Sequence, residues 1–184
     1  MNPSGLNTFD KAFMKATFTL SNAVPQFKTS NRRWETFETR IRKYAKNTCG
    51  PRGGTLYLLT GKSDYGVRIR DRGPEQDCAT ALPYLRKHFP GNVRLVTPRA
   101  VWTAGCCVWT EPGKYFGRLW SVKKAKSFAV MSNNKNNDAL LHQTEMSVSQ
   151  LERLLKPPAH LKEVDLFPGN KDCLRAENNI ELPQ

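Results

Sequence analysis

The feature of this 184-residue chain that most restricts its fold is one amphipathic segment at residues 32–47. Its large apolar side chains recur every three or four residues, which is the spacing of one face of an α-helix. This apolar stripe consists of Trp34, Phe37, Ile41 and Tyr44. Cys49-Gly50-Pro51 follows as a stop signal, and three residues before the segment are candidate N-caps. These candidates are Thr29, Ser30 and Asn31.

The rest of the chain favours short strands over further long helices. Stretches rich in β-branched and aromatic residues, bounded by Gly, Pro or polar turns, are typical of strands. They lie at residues 16–24, 54–59, 93–96, 100–103, 106–110, 117–120 and 128–131. We expect residues 54–59 to be buried, because glycines bound an apolar run there. Residues 132–137 should form a polar turn, and residues 147–155 a short helix capped by Ser147 or Ser149.

Strands and helices are mixed without strand–helix–strand alternation, which predicts an α+β fold. The length suits one domain with a buried core. We assign residues 1–167 to this domain and the polar, acidic residues 168–184 to a C-terminal tail. Residues 68–78 are charged and rich in turn formers, so we expect an exposed loop there.

The formal net charge is +13, and the charge is unevenly distributed. Residues 27–72 hold twelve Lys and Arg against four Asp and Glu, whereas residues 137–184 hold five against eight. Such segregation favours a basic binding face for an anionic partner: nucleic acid, an acidic membrane surface or a polyanionic glycan. No apolar run reaches the roughly 20 residues that span a bilayer. The first residues do not form a signal peptide.

Five cysteines are scattered along the chain without a CxxC pair or a histidine at ligand spacing, which argues against a zinc site. They are Cys49, Cys78, Cys106, Cys107 and Cys173. Disulfides formed in an oxidising compartment are the better interpretation, and the odd count leaves one cysteine over. Adjacent Cys106 and Cys107 would need a strained ring to pair together, so we expect separate partners.

Asn31, Glu38 and Arg42 form a polar stripe beside the apolar one, because residues seven and four apart return to nearly the same direction on a helix. A carboxamide, a carboxylate and a guanidinium in line can hold a hydrated cation and a phosphate. Two ordinary interpretations remain open. Asn31 can be a plain N-cap, and Glu38 with Arg42 can be a surface ion pair.

Several segments together resemble the non-specific DNA/RNA endonucleases of the ββα-metal type. The resemblance runs through FTLSNAVPQ, SNRRW and ETFETRIR (residues 18–26, 30–34 and 35–42), and through residues 48–63, 96–109 and 164–174. It is greatest to the animal branch typified by the endonuclease domain-containing 1 proteins. It implies a ββα-metal nuclease fold with a mixed, mostly antiparallel sheet and flanking helices.

The resemblance also implies roles for individual residues. Asn31 falls on the family's Mg²⁺ ligand, and Glu38 on the glutamate that orients the ion's water shell. Arg42 falls on the arginine that stabilises charge at the phosphate, and Asn22 on a supporting polar residue. Trp34 falls on a tryptophan that packs the helix into the core. Asn31 lies three residues before Trp34, where many relatives have four, so Ser30 is the alternative position.

The family's defining Asp-Arg-Gly-His motif, whose His is the general base, is absent from the 184 residues. Met1-Asn2-Pro3 resembles the residues directly after that His, so the resemblance implies an N-terminally truncated domain. The sequence contains His88, His142 and His160, all downstream of the helix. Asp71-Arg72-Gly73-Pro74 has proline in place of the His and should form a turn.

The implied function is Mg²⁺-dependent, sequence-non-specific hydrolysis of DNA and RNA, weak or absent without the His, in a protein that is secreted in its full-length form. Backbone contacts would come from basic residues of the helix region, namely Arg32, Arg33, Arg40, Lys43 and Lys46. One alternative is a catalytically dead module that binds nucleic acid or another polyanion. Another is an extracellular interaction protein stabilised by disulfides, which leaves the polar stripe unexplained.

Overall fold

The computed structural model describes residues 24–63, 97–115, 118–156 and 164–184. Four strands lie in them: β1 Thr55–Ser63, β2 Ala100–Tyr115, β3 Arg118–Asn133 and β4 Gln143–Met146. They form one antiparallel sheet in the order β1-β2-β3-β4. Two α-helices accompany it, α1 Lys28–Tyr44 and α2 Val148–Leu155. The predicted α+β fold is therefore confirmed.

Helix α1 begins four residues earlier than the sequence pattern predicted. The backbone N–H of Asn31 already donates to the carbonyl of Phe27 at 2.9 Å, which is an ordinary helical bond. The prediction that Thr29, Ser30 or Asn31 caps the helix is therefore wrong. After Tyr44 the chain continues as a π-helical turn, Ala45–Cys49, and a 3₁₀ turn, Gly50–Arg52.

The strands are longer than their sequence signals. Segments 100–103 and 106–110 belong to one strand, β2, and segment 128–131 and most of 117–120 belong to β3. Gly105 lies within β2 and does not interrupt it. Glycine is required there because the Phe128 ring approaches closely: a Cβ at this position would lie 2.2 Å from the ring.

Strand β1 corrects the prediction of a buried strand at residues 54–59. Tyr57 is 53% exposed, and Leu58 and Leu59 are 36% and 38% exposed. The reason is position: β1 lies at one end of the described sheet, and an apolar run does not reveal whether its strand will be central. Helix α2 follows its prediction, with Ser147 as N-cap in a reciprocal capping box with Gln150.

The described residues fall into two compact units. The first comprises residues 24–35, 60–63, 97–102 and 132–143. The second comprises residues 36–59, 103–115, 118–131, 144–156 and 164–184.

In the first unit, two buried asparagines form hydrogen bonds with residues at and near the start of α1. The Asn134 Oδ1 accepts from the Phe27 N–H at 3.0 Å. Its Nδ2 donates to the carbonyls of Pro25 at 3.0 Å and Pro98 at 3.1 Å. The Asn133 carbonyl accepts from the Ser30 hydroxyl at 3.3 Å. Residues 132–137 thus include the end of β3 and the two buried asparagines, as well as the predicted turn.

In the second unit, two disulfides tie elements to opposite faces of β2. Cys49 pairs with Cys107 and Cys106 pairs with Cys173, so the predicted separate partners are confirmed. Successive residues of a strand point to opposite faces. One bond therefore holds the continuation of α1 on one face, and the other holds the tail on the other face. Cys78 lies outside the described residues.

The tail is attached at further points within this unit. Ser127 of β3 and Asn179 form a parallel β-bridge, and the Ile180 N–H donates to the Ser127 carbonyl at 2.9 Å. Leu182 is buried, with 2% of its surface exposed. The proposed boundary between residues 167 and 168 stays a prediction.

Candidate functional site

The apolar stripe of α1 is buried as predicted, and the polar stripe beside it is more open. Asn31 and Arg42 are exposed and Glu38 is half-buried. All three lie within the single helix α1, so the helical repeat places them along one line. Glu38 already takes part in an intramolecular interaction. The helix therefore presents a carboxamide and a guanidinium to solvent with a carboxylate between them.

Trp34 is 5% exposed and belongs to the core, as its predicted packing role requires. The other members of the apolar stripe, Phe37, Ile41 and Tyr44, are 6%, 2% and 2% exposed. The orientation of the helix follows from this burial, because the polar stripe cannot turn inward without exposing the aromatic residues.

Ser30 and Asn31, the two alternative positions for the metal ligand, differ clearly in their exposure. Ser30 is fully buried and its hydroxyl donates to the Asn133 carbonyl, whereas Asn31 is exposed. Only the Asn31 side chain is open to an external ligand.

The five basic residues predicted to contact nucleic acid have different surroundings. Arg33 pairs with Asp138, with 3.1 Å between Nε and Oδ1. Arg40 contacts Glu145 and the carbonyls of Leu182 and Pro183. Lys43 donates to the Gln184 carbonyl at 2.9 Å. Arg32 and Lys46 are exposed, and neither is paired with an acid within the described ranges.

Several predicted residues cannot be placed. The following lie outside the described residues: Asn22, His88, His160, the segments 68–78 and 93–96, and most of strand 16–24. His142 is half-buried, and its backbone N–H donates to the Asn133 Oδ1 at 2.7 Å.

Two groups in the second unit have shifted pKa values. Burial raises the pKa of Tyr44, and the nearby charge of Arg52 offsets this in part. Tyr44 packs edge-on against Phe128 at 5.6 Å, and its buried hydroxyl has no hydrogen-bond partner in the part of the chain that the structure describes. The pKa of Glu152 is raised, chiefly by burial of its carboxyl group. The hydrogen bond that the Leu166 N–H donates to this carboxylate offsets part of the rise, and the negative charge of Asp165 adds to it.

Glu152 also lines a cavity of about 890 Å³ between α2 and the tail. The other residues around it are Ser149, Arg153, Lys156, Val164, Asp165, Lys171, Leu174 and Arg175. None of them belongs to the polar stripe. This cavity and the predicted site therefore share no residue.

The donor set of the polar stripe matches a hard cation that keeps most of its water. In the part of the chain that the structure describes, no three His, Cys, Asp or Glu side chains cluster as metal ligands. One carboxamide oxygen and one carboxylate suit Mg²⁺, which prefers oxygen ligands and is typically held by few protein groups.

Sequence reasoning missed the residues that hold this helix in place. Asn133 and Asn134 belong to a run that reads as a polar turn, and nothing in SNNKNN distinguishes a buried amide from an exposed one. Glu145 and Leu182, which contact Arg40 or its neighbours, gave no signal either.

Within the described ranges, no helix is both long and apolar enough to cross a membrane.

Comparison with known proteins gives one match. The family model described as DNA/RNA non-specific endonuclease matches residues 1–163. No curated protein and no solved structure gives a significant match.

Proposed function

Because the chain belongs to the DNA/RNA non-specific endonuclease family, we propose that its helix α1 binds the backbone of DNA and RNA and supports Mg²⁺-dependent phosphodiester hydrolysis. The observation that carries this proposal is the polar stripe, in which Asn31 and Arg42 stay exposed while the aromatic stripe beside them is buried.

Asn31 and Glu38 are the proposed metal-site residues. The Asn31 carboxamide oxygen is the direct ligand, and the Glu38 carboxylate accepts hydrogen bonds from the ion's waters. When bound, Mg²⁺ neutralises charge on the phosphate and stabilises the leaving oxygen. Because the ion needs few protein ligands, an open helix face with two oxygen donors suffices.

Arg42 is the proposed phosphate residue. It lies four residues after Glu38 on the same stripe, and its guanidinium offers charge-assisted hydrogen bonds to phosphate oxygens. Such a contact gains strength as negative charge develops in the transition state. Arg32 and Lys46 supply backbone contacts that carry no sequence information. Arg40 and Lys43 are left out of this binding face because other groups of the chain occupy them.

The mechanism also needs a residue that activates water. The family resemblance assigns this role to the His of Asp-Arg-Gly-His, and the 184 residues do not contain that motif. Loss of a general base typically costs about 10²–10⁴ in rate. We therefore propose slow hydrolysis by these 184 residues, with Asn22 as a supporting polar residue.

The exposed basic side chains of α1 also support a second candidate function, a nucleic-acid-binding module without catalysis. Both candidates use the same basic face and differ only in turnover. The two disulfides support a site of action in an oxidising, extracellular compartment for either candidate. Similarity to the endonuclease domain-containing 1 proteins remains part of the proposal.

The test is an alanine variant of the proposed metal ligand. Asn31→Ala should weaken Mg²⁺ binding in calorimetry at least tenfold and reduce Mg²⁺-dependent plasmid nicking at least tenfold, because Mg²⁺ has lost its direct protein ligand. Asn47→Ala is the matched control, since Asn47 is an exposed asparagine in the π-helical turn.

Undiminished Mg²⁺ binding and nicking in Asn31→Ala would refute the metal assignment. Mg²⁺ and DNA binding without nicking by the parent chain would favour the module without catalysis.

A further inference from the structure

Arg40 is the most enclosed cation of α1 that the structure describes in detail. Its side chain is only 11% exposed, and Nη1 forms an ion pair with the Glu145 carboxylate. Nε donates to the Pro183 carbonyl at 3.0 Å, and Nη2 donates to the Leu182 carbonyl. Three acceptors therefore surround a guanidinium that would otherwise extend the basic face.

The same residues hold the end of the tail on the helix. The second Glu145 oxygen accepts from the Leu182 N–H at 3.0 Å, so Glu145 bridges Arg40 and Leu182. The Leu182 side chain is buried. Three residues along the helix from Arg40, Lys43 donates to the Gln184 carbonyl at 2.9 Å. We name residues 181–184 the closing segment.

The closing segment competes for the groups that a phosphate would use. Its carbonyl oxygens occupy donors of Arg40 and Lys43, and its Glu181 carries a negative charge one residue before Leu182. A phosphodiester can use the occupied donors of Arg40 only after the carbonyls leave, and at Lys43 it must compete with the Gln184 carbonyl for the ammonium. Arg32, Arg42 and Lys46 carry no such cover among the described residues.

We propose that the closing segment is an intramolecular competitor of nucleic acid, which covers Arg40 and Lys43 and thereby limits the polyanion-binding face of α1. This proposal rests on the proposed function, since it names a regulation of the same face. Release of the segment adds one or two phosphate contacts: Lys43 becomes free, and Arg40 keeps only Glu145.

The experiment measures duplex DNA binding by a chain truncated after Ile180, with the full chain as reference. Each additional neutralised phosphate steepens the dependence of log affinity on log salt by about 0.9. We therefore expect tighter binding at low salt and a slope steeper by about 0.9–1.8. Lys43→Gln should change the affinity less than twofold in the full chain and remove much of the gain in the truncated chain.

Two further variants complete the test. Glu181→Gln in the full chain removes only the negative charge. If the closing segment acts by covering the donors of Arg40 and Lys43, this substitution should reproduce little of the gain in DNA affinity. Leu182→Ala loosens the segment without deleting it, and it serves if the truncated chain does not fold. Unchanged affinity and slope in the truncated and Leu182→Ala proteins would overturn this inference alone. A full chain that binds no DNA would overturn it together with the proposed function.

Discussion

The hydroxyl of Tyr44 is an unsatisfied polar group in an otherwise apolar site. It is buried and has no hydrogen-bond partner among the described residues, while the ring packs edge-on against Phe128. A buried hydroxyl without a partner costs about 1–3 kcal/mol.

Tyr44→Phe should therefore raise the free energy of unfolding at pH 7 by about 1 kcal/mol, because it removes the orphaned hydroxyl and keeps the ring. The pKa of Tyr44 is raised in the folded state, so the unfolded chain loses its proton first as pH increases. Tyr44 thus lowers stability progressively as pH rises above about 10, the ordinary pKa of tyrosine.

Denaturant unfolding at pH 7 and at pH 10–11 checks both expectations. The gain from Tyr44→Phe should be larger at high pH. Tyr57→Phe is the control, because Tyr57 is 53% exposed and should show neither effect. A Tyr44→Phe protein that is less stable at both pH values would mean that the hydroxyl has a stabilising role.

At the scale of the element, helix α1 shows what its sequence can and cannot reveal. Its apolar stripe is local information, and the four predicted core residues are all buried. Its start is not local, because the group that accepts the Phe27 N–H is Asn134, 107 residues away in sequence. A helix start fixed by a distant side chain cannot be recognised from capping residues. The polar stripe follows from spacing, whereas the partners of Arg40 depend on where the tail docks.

Strand β1 illustrates the same limit. The run from residue 54 to 59 correctly indicates a strand, and the structure extends it to Ser63. Its burial depends on its place in the sheet order, which an apolar run of six residues does not encode.

Asn134→Ala should destabilise the first unit by about 2–4 kcal/mol, because it leaves the backbone groups of Pro25, Phe27 and Pro98 without their partners. The first turn of α1 should fray, and the Asn31 amide should exchange with solvent faster. Chemical denaturation and hydrogen exchange measure the two effects. Asn136→Ala, at an exposed side chain, should change stability by less than about 0.5 kcal/mol. Equal effects of the two substitutions would refute an anchoring role for the Asn134 amide.

At the scale of the whole molecule, the two disulfides close loops of similar length, with sequence separations of 58 and 67 residues. Each should therefore stabilise by a similar amount, about 2–5 kcal/mol. Their local effects differ, because only one of them holds the tail.

Replacing both Cys49 and Cys107 by alanine, or both Cys106 and Cys173, should lower the free energy of unfolding by about 2–5 kcal/mol in each case. Only the loss of Cys106–Cys173 should make residues 164–184 sensitive to limited proteolysis. Denaturation curves and mass spectrometry of the cleavage products check the two parts. Early cleavage of the tail in both double variants, or in neither, would contradict the assignment of the tail to one bond.

The adjacent cysteines of β2 also make strand register and disulfide pairing depend on each other. If Cys106 paired with Cys49 and Cys107 with Cys173, each thiol would have to reach the opposite face of the sheet. A strand accomplishes this only by shifting one residue along its neighbours, which moves each of its side chains to the other face. During oxidative folding the exchanged pairing is therefore opposed by the packing on both faces of β2, where residues of alternate positions such as Ala104 and Trp109 are buried. Packing of the β2 side chains therefore favours the correct disulfide pairing, and the two disulfides then fix the register of the strand.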